Sequence, residues 1–230
     1  MATGAQVAEH LADVMDVLPA TVFRFCRMLR EAGGDLWPEG GKGGGRAGAH
    51  VDRKHLTNLA IALAVNDPLH AAEWIPLYRG LLSYRPQAHK MREDSGVAAG
   101  VLAANDLFNG MRCLGDELDR LLDVLPNGGV ARELENAGLY IEFCLERRIP
   151  RAYVGHHVFD PPDDLTKPVI RWIYGRPDNS KSNFLSPRLI TRTAAFPVSL
   201  FTVMAEQWSD TQRHHARIAR RAKRAALVEE

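Results

Sequence analysis

Three arginines stand three residues apart in the stretch "ATVFRFCRMLREAGG": Arg24, Arg27 and Arg30. A guanidinium offers a flat fork of donors that fits a phosphate or the O6/N7 edge of a guanine, so this spacing can do recognition chemistry. A second basic group follows in a glycine-packed run, where Lys42, Arg46, Arg53 and Lys54 face Asp52 alone between Gly40 and His55. A third lies near the end, where Arg213, Arg217, Arg220 and Arg224 step by four, three and four, with Arg221 and Lys223 beside them. That spacing puts the four arginines on one helix face, and residues 211–224 contain no acid. Phosphate groups or an acidic surface are the partners such residues suit.

Bond-making chemistry finds less support. A Walker loop needs Gly-Lys followed by Ser or Thr, between a strand and a helix; Gly41-Lys42 is followed by Gly43 and preceded by a helical stretch. No GxSxG or HExxH occurs. His156 and His157 are adjacent on an expected strand and point to opposite faces, so they cannot share one metal. His214 and His215 adjoin the terminal basic run without a metal-ligand pattern. Cys26, Cys113 and Cys144 are odd in number and far apart, which suits buried thiols better than a disulfide or zinc framework. No enzyme, metal or cofactor is expected.

The elements that must carry these residues can be read from periodicity. Val7, Leu11 and Val14 recur at helical spacing, and a second helix fits "PATVFRFCRMLREAG" with Pro19 at its start and Gly33-Gly34 at its stop. On a helical wheel Val22, Phe25, Cys26 and Leu29 share one side, while Arg24, Arg27 and Glu31 take the other. Residues 38–50 are mostly glycine and make no regular element. Asp52 looks like the cap of a third helix with an apolar stripe of Leu56, Leu59, Ala60 and Leu63. A fourth helix is expected across "AAEWIPLYRGLLSY", bent at Pro76. The longest helix is expected over "SGVAAGVLAANDLFNGMRCLGDELDRLLDVLPNGG", where Leu107, Met111, Leu114, Leu118, Leu121 and Leu125 step by four and three. This seam packs either inside the chain or against a second subunit.

After residue 137 the period changes to two. "GLYIEFCLERR", "RAYVGHHVF", "PVIRWIYG" and "RLITRTAAF" read as four antiparallel strands, the first two a hairpin, followed by a helix from about Pro197. The expected class is α+β: helices at 1–66 with a Gly-rich segment at about 38–50, a helical pairing region at 67–126, and a small antiparallel sheet with a basic terminal helix at 137–230.

The first two helices also carry a family likeness. "VAEHLADVMDVLPATVFRFCRMLREAGG" resembles the bacterial and phage helix-turn-helix pattern through Leu11, Ala12, Val17, Pro19, Ala20, Thr21, Val22, Arg24, Leu29 and Gly33. Two positions depart from it: Asp16 stands where the turn usually has Gly, and Leu18 replaces the Ser cap, leaving Asp16 as the expected cap. The resemblance implies that the second helix enters the major groove of duplex DNA. Thr21 and Arg30 would then meet phosphates, and Arg24 and Arg27 base edges. Lys42 and Arg46 would form an arm beside the groove, with a plain linker as the other reading of that run. The wider chain is similar in flavour to uncharacterised phage or prophage proteins.

Net charge is only +1, and residues 1–55 balance seven basic against seven acidic side chains, so no strong overall field draws nucleic acid in. No apolar run nears the roughly 18 residues a membrane span needs, and no secretory leader is visible. The expectation is a cytoplasmic helix-turn-helix transcriptional regulator acting as a homo-oligomer, a dimer before a ring. The alternatives are a phage DNA-packaging subunit similar in layout to terminase small subunits, and a protein-interaction module in which the helix pair only packs.

Overall fold

In the computed structural model the described residues are 4–39, 51–88, 100, 103–104, 106–108, 112–126, 128–145, 150–157, 168–175 and 193–206. Four helices come first: α1 (Gly4–Val14), α2 (Pro19–Ala32), α3 (Arg53–Val65) and α4 (Ala71–Arg79). Strand β1 (Ser83–Ala88) precedes α5 (Leu114–Val124) and α6 (Gly128–Asn136). Then come β2 (Leu139–Cys144), β3 (Arg151–His157), β4 (Pro168–Tyr174) and β5 (Thr193–Pro197), and residues 198–206 are helical. The α+β class holds.

The sheet has five strands in the order β1-β4-β3-β2-β5, and all neighbours are antiparallel. β2 and β3 form the expected hairpin, with Ile141 opposite Val154 and Phe143 opposite Ala152. Those four residues, with Trp172 and Tyr174, turn toward the helices and join the main buried cluster. That cluster takes in residues from Val7 to Ala205, so all three stretches of the chain share one core.

α3 is the centre of the helical layer. Only an apolar stripe was expected to be covered, yet every residue from His55 to Val65 is buried. α3 touches α2, α4, α5, β2 and β5. Its small and aliphatic side chains permit contact all round, and its two fully buried polar groups have partners. Thr57 Oγ1 donates to Asp119 Oδ1 at 2.6 Å, and Asn58 Nδ2 donates to the Leu36 carbonyl at 3.1 Å.

Three expectations need correction. The helix drawn through "LLSY" stops at Gly80, and Ser83–Ala88 form an edge strand on β4. Pro86 hid it, although an edge strand tolerates proline because one row of its N–H groups needs no partner. The long central helix is also broken. Residues 103, 104, 106 and 107 are helical, but Phe108 is not, and Cys113 is extended and bridges Leu82. An extended, sheet-bridged residue cannot lie inside a helix, so α5 starts at Leu114, and α6 was not foreseen at all.

The third correction concerns the leucine seam. Leu107, Leu114, Leu118, Leu121 and Leu125 are all buried inside this chain, so of the two ways this seam could pack the described leucines take the internal one; Met111 lies outside the described residues. The four-three rhythm is real for α5, but its partners are the chain's own helices and sheet, as for any amphipathic helix in a packed domain.

Candidate nucleic-acid interface

The turn between α1 and α2 is closed by backbone geometry. Asp16 adopts the left-handed region at φ 51°. The Val17 N–H reaches the Ala12 carbonyl at 3.0 Å and the Asp16 N–H reaches that of Asp13 at 3.3 Å. This pair of bonds is a Schellman cap, and Val17 packs onto the core just beyond it, as the motif requires. Asp16 therefore ends α1 and does not cap α2, contrary to expectation. The α2 cap residue, Leu18, is extended and makes no side-chain cap bond. Pro19, with no N–H to leave unpaired, opens the helix instead.

α2 buries Val22, Phe25, Cys26 and Leu29, as its periodicity predicts. Burial pushes the Cys26 thiol up to about 12, so it is an inert core group. The opposite side is open: Thr21, Arg24, Arg27 and Arg30 are all exposed. Arg27 Nε donates to Glu31 Oε1 at 2.7 Å, and that bond, with the carboxylate's charge, raises the guanidinium above its ordinary value. Neither Arg24 nor Arg30 is ion-paired among the described residues. The surface also carries apolar groups, since Leu18, Val14 and Phe23 are exposed around the turn and the start of α2.

α2 ends in a tight reversal. Gly33, Gly34 and Asp35 all have positive φ, at 71°, 65° and 59°. The following stem is clamped to the start of α3. Lys54 Nζ lies 2.9 Å from Asp35 Oδ2, and His55 Nε2 lies 3.4 Å from Asp35 Oδ1. Trp37 is buried with its ring edge-on to His55, centroids 6.3 Å apart. The Lys54 hydrogen bond and charge hold the Asp35 carboxyl below its usual range.

His55 does the work usually given to Glu in a capping box. Its own N–H donates to Asp52 Oδ1 at 2.9 Å, and the Asp52 N–H donates back to His55 Nδ1 at 3.2 Å. That return bond needs Nδ1 as acceptor, so a neutral ring carries its proton on Nε2, on the Asp35 side. A protonated ring turns Nδ1 into a donor toward Asp52 Oδ1, 2.7 Å away. Residues 35–37 and 52–55 thus form one fixed base for the Gly-rich run between them.

The expected site residues divide clearly. Thr21, Arg24, Arg27 and Arg30 share the exposed side of α2. Arg53 and Lys54 sit at the start of α3, where Arg53 pairs with Asp123 and Lys54 with Asp35. Both spend charge on intramolecular partners. Lys42 and Arg46 lie outside the described residues, as do Arg213, Arg217, Arg220, Arg221, Lys223 and Arg224. The side chains of His156 and His157 are likewise outside the description, and no metal-binding cluster occurs among the described residues.

One polar centre had no sequence signal. Arg79 Nη2 meets Asp119 Oδ2 at 2.6 Å, both side chains largely buried at 18% and 15% exposure, and its Nη1 lies 3.3 Å from Asn58 Oδ1. Tyr174 Oη donates to Glu117, which is fully buried. These bonds join α3, α4, α5 and β4, and they connect the helical layer to the sheet. Residues so far apart in sequence show no spacing to read. Asp52-x-x-His55 was closer to legible, since Asp52 was readable as a cap, but a capping box is normally sought with Glu or Gln.

Comparison with protein-family models, with curated proteins and with solved structures gave no match. No helix among the described residues is long and apolar enough to cross a membrane.

Proposed function

We propose that this chain binds duplex DNA through the exposed side of α2 and serves as a helix-turn-helix transcriptional regulator. The observation that carries the reading is the pairing of a Schellman-closed α1–α2 turn with an α2 whose apolar side is fully buried and whose Thr21, Arg24, Arg27 and Arg30 all face outward. In such a module the first helix braces the second, which places its first turns in the major groove. Thr21 and Arg30 contact phosphates, and Arg24 and Arg27 reach base edges. The exposed acids Glu9 and Asp13 on α1 limit the general attraction to phosphate, and with Arg30 the one described cation assigned to a phosphate, few counterions are released and affinity depends only moderately on salt.

A symmetric site calls for two copies. Since the described Leu107–Leu125 leucines are internal, a dimer uses another surface. A second reading draws on Val14, Leu18 and Phe23, whose exposure also suits a protein partner.

The test combines native mass by light scattering with salt-titrated binding to random-sequence duplex. It compares wild type with the Arg24→Ala/Arg27→Ala variant. A dimer whose affinity falls with salt, and falls about tenfold or more in the double variant, supports the regulator. A large ring with the same behaviour shifts the reading to DNA packaging. Absence of wild-type binding at low salt overturns DNA recognition and leaves the protein-interaction module.

A further inference from the structure

We infer that Glu31 is a positioning residue that aims the Arg27 fork at guanine, so that α2 selects guanine-bearing sites. The inference rests on the DNA reading above and gives it a base preference. Arg27 Nε is the atom bound to Glu31, at 2.7 Å. Its two Nη groups have no hydrogen bond or ion pair among the described residues. End-on recognition of guanine uses those two groups, one to O6 and one to N7. Glu31 therefore holds the guanidinium from behind and leaves the reading end open.

The placement on the helix agrees. Arg24, Arg27 and Glu31 lie on the side of α2 opposite Val22, Phe25, Cys26 and Leu29, and all three are exposed. The pair is well in solvent, with side-chain exposures of 75% for Arg27 and 52% for Glu31, so its value to folding is small. Its consequence for binding is different. An arginine already held in one orientation loses less rotamer freedom on docking, and the loss avoided is gained only where the target matches that orientation. Glu31 also opposes phosphate, because a carboxylate on a groove-facing helix repels the backbone. The residue therefore lowers affinity for unmatched duplex while raising discrimination in favour of the matching one, and the two effects have opposite signs on mutation.

That opposition supplies the experiment. Full-length wild type is used to select a tight site from a random duplex library. Binding is then measured to that site, to a copy carrying 7-deazaguanine in place of guanine, and to unselected duplex. Wild type is expected to lose about tenfold on the 7-deaza copy, which lacks the N7 acceptor. Glu31→Ala is expected to shrink that ratio by about twofold, the bias an exposed pair of this kind can supply, while binding unselected duplex as well as wild type or better. Glu31→Gln keeps an acceptor for Arg27 Nε and is expected to restore part of the ratio. An undiminished ratio in Glu31→Ala overturns the inference while leaving DNA binding intact, and so does a selected site indifferent to 7-deazaguanine. No wild-type binding to unselected duplex at low salt overturns both.

Discussion

The side chain of Arg79 lies directly over Gly115. A Cβ built at position 115 would stand 2.8 Å from Arg79 Cβ and 3.0 Å from its Cγ and Nε. α4 and α5 approach this closely because position 115 has no side chain, and the approach puts the guanidinium on Asp119. Gly115→Ala is expected to destabilise the protein. The better helix propensity of alanine contributes about 1 kcal/mol, but overpacking and displacement of a largely buried ion pair cost more, leaving a net loss of about 1–3 kcal/mol. The midpoint of urea unfolding measures it. An unchanged or raised midpoint would show that the Arg79 stem yields freely.

At the α1–α2 turn the opposite result is expected. Asp16 occupies a left-handed position at φ 51° and makes no cap on α2, so its side chain brings strain without a compensating bond. Asp16→Gly should raise stability by about 0.5–1 kcal/mol, read as a small rise in Tm. DNA affinity should hold or improve, because an acid leaves the entrance to α2.

Acid should loosen the base of the Gly-rich run. Burial by itself would lift the Asp52 carboxyl, but the hydrogen bonds and charge of His55 outweigh it and leave the group below its ordinary range. A carboxyl depressed in the folded state contributes stability above its unfolded pKa, near 3.9, and that contribution is lost as pH falls through the lower folded value. Asp35, depressed chiefly by Lys54, behaves in the same direction. Stability of wild type should therefore decline below about pH 4 more steeply than that of Asp52→Asn. At neutral pH the variant should keep most of the cap, since an asparagine oxygen accepts the His55 N–H about as well as aspartate, and lose only the carboxylate's charge toward His55. Unfolding curves from pH 7 down to pH 3 check both parts, and parallel declines would remove Asp52 from the account.

Much of the fold was legible because local pattern and tertiary burial agree there. Val22, Phe25, Cys26 and Leu29 define the buried side of α2 by spacing alone, and alternation picks out Leu139, Ile141 and Phe143 as the side of β2 that joins the main core, although Tyr140 and Cys144 on the other side are buried as well. Asp52 announces the start of α3 by residue type. The exposed arginine side of α2 follows from the same wheel.

Other features required the folded chain. The leucine spacing from 107 to 125 marks an apolar side but not what covers it; burial against the chain's own core settles that. The full burial of α3 reflects neighbours on every side, whereas periodicity reports only one stripe. β1 exists because β4 supplies hydrogen bonds to a segment whose Pro86 argues against a strand. The Arg79–Asp119–Asn58 centre and the His55 clamp join residues by proximity across elements. By itself the sequence determined which sides of its helices and strands are apolar, because that depends on residue order and backbone period alone. Which surfaces meet, and which charges are consumed in meeting, only the tertiary structure decided, because contacts between distant residues leave no period in the chain.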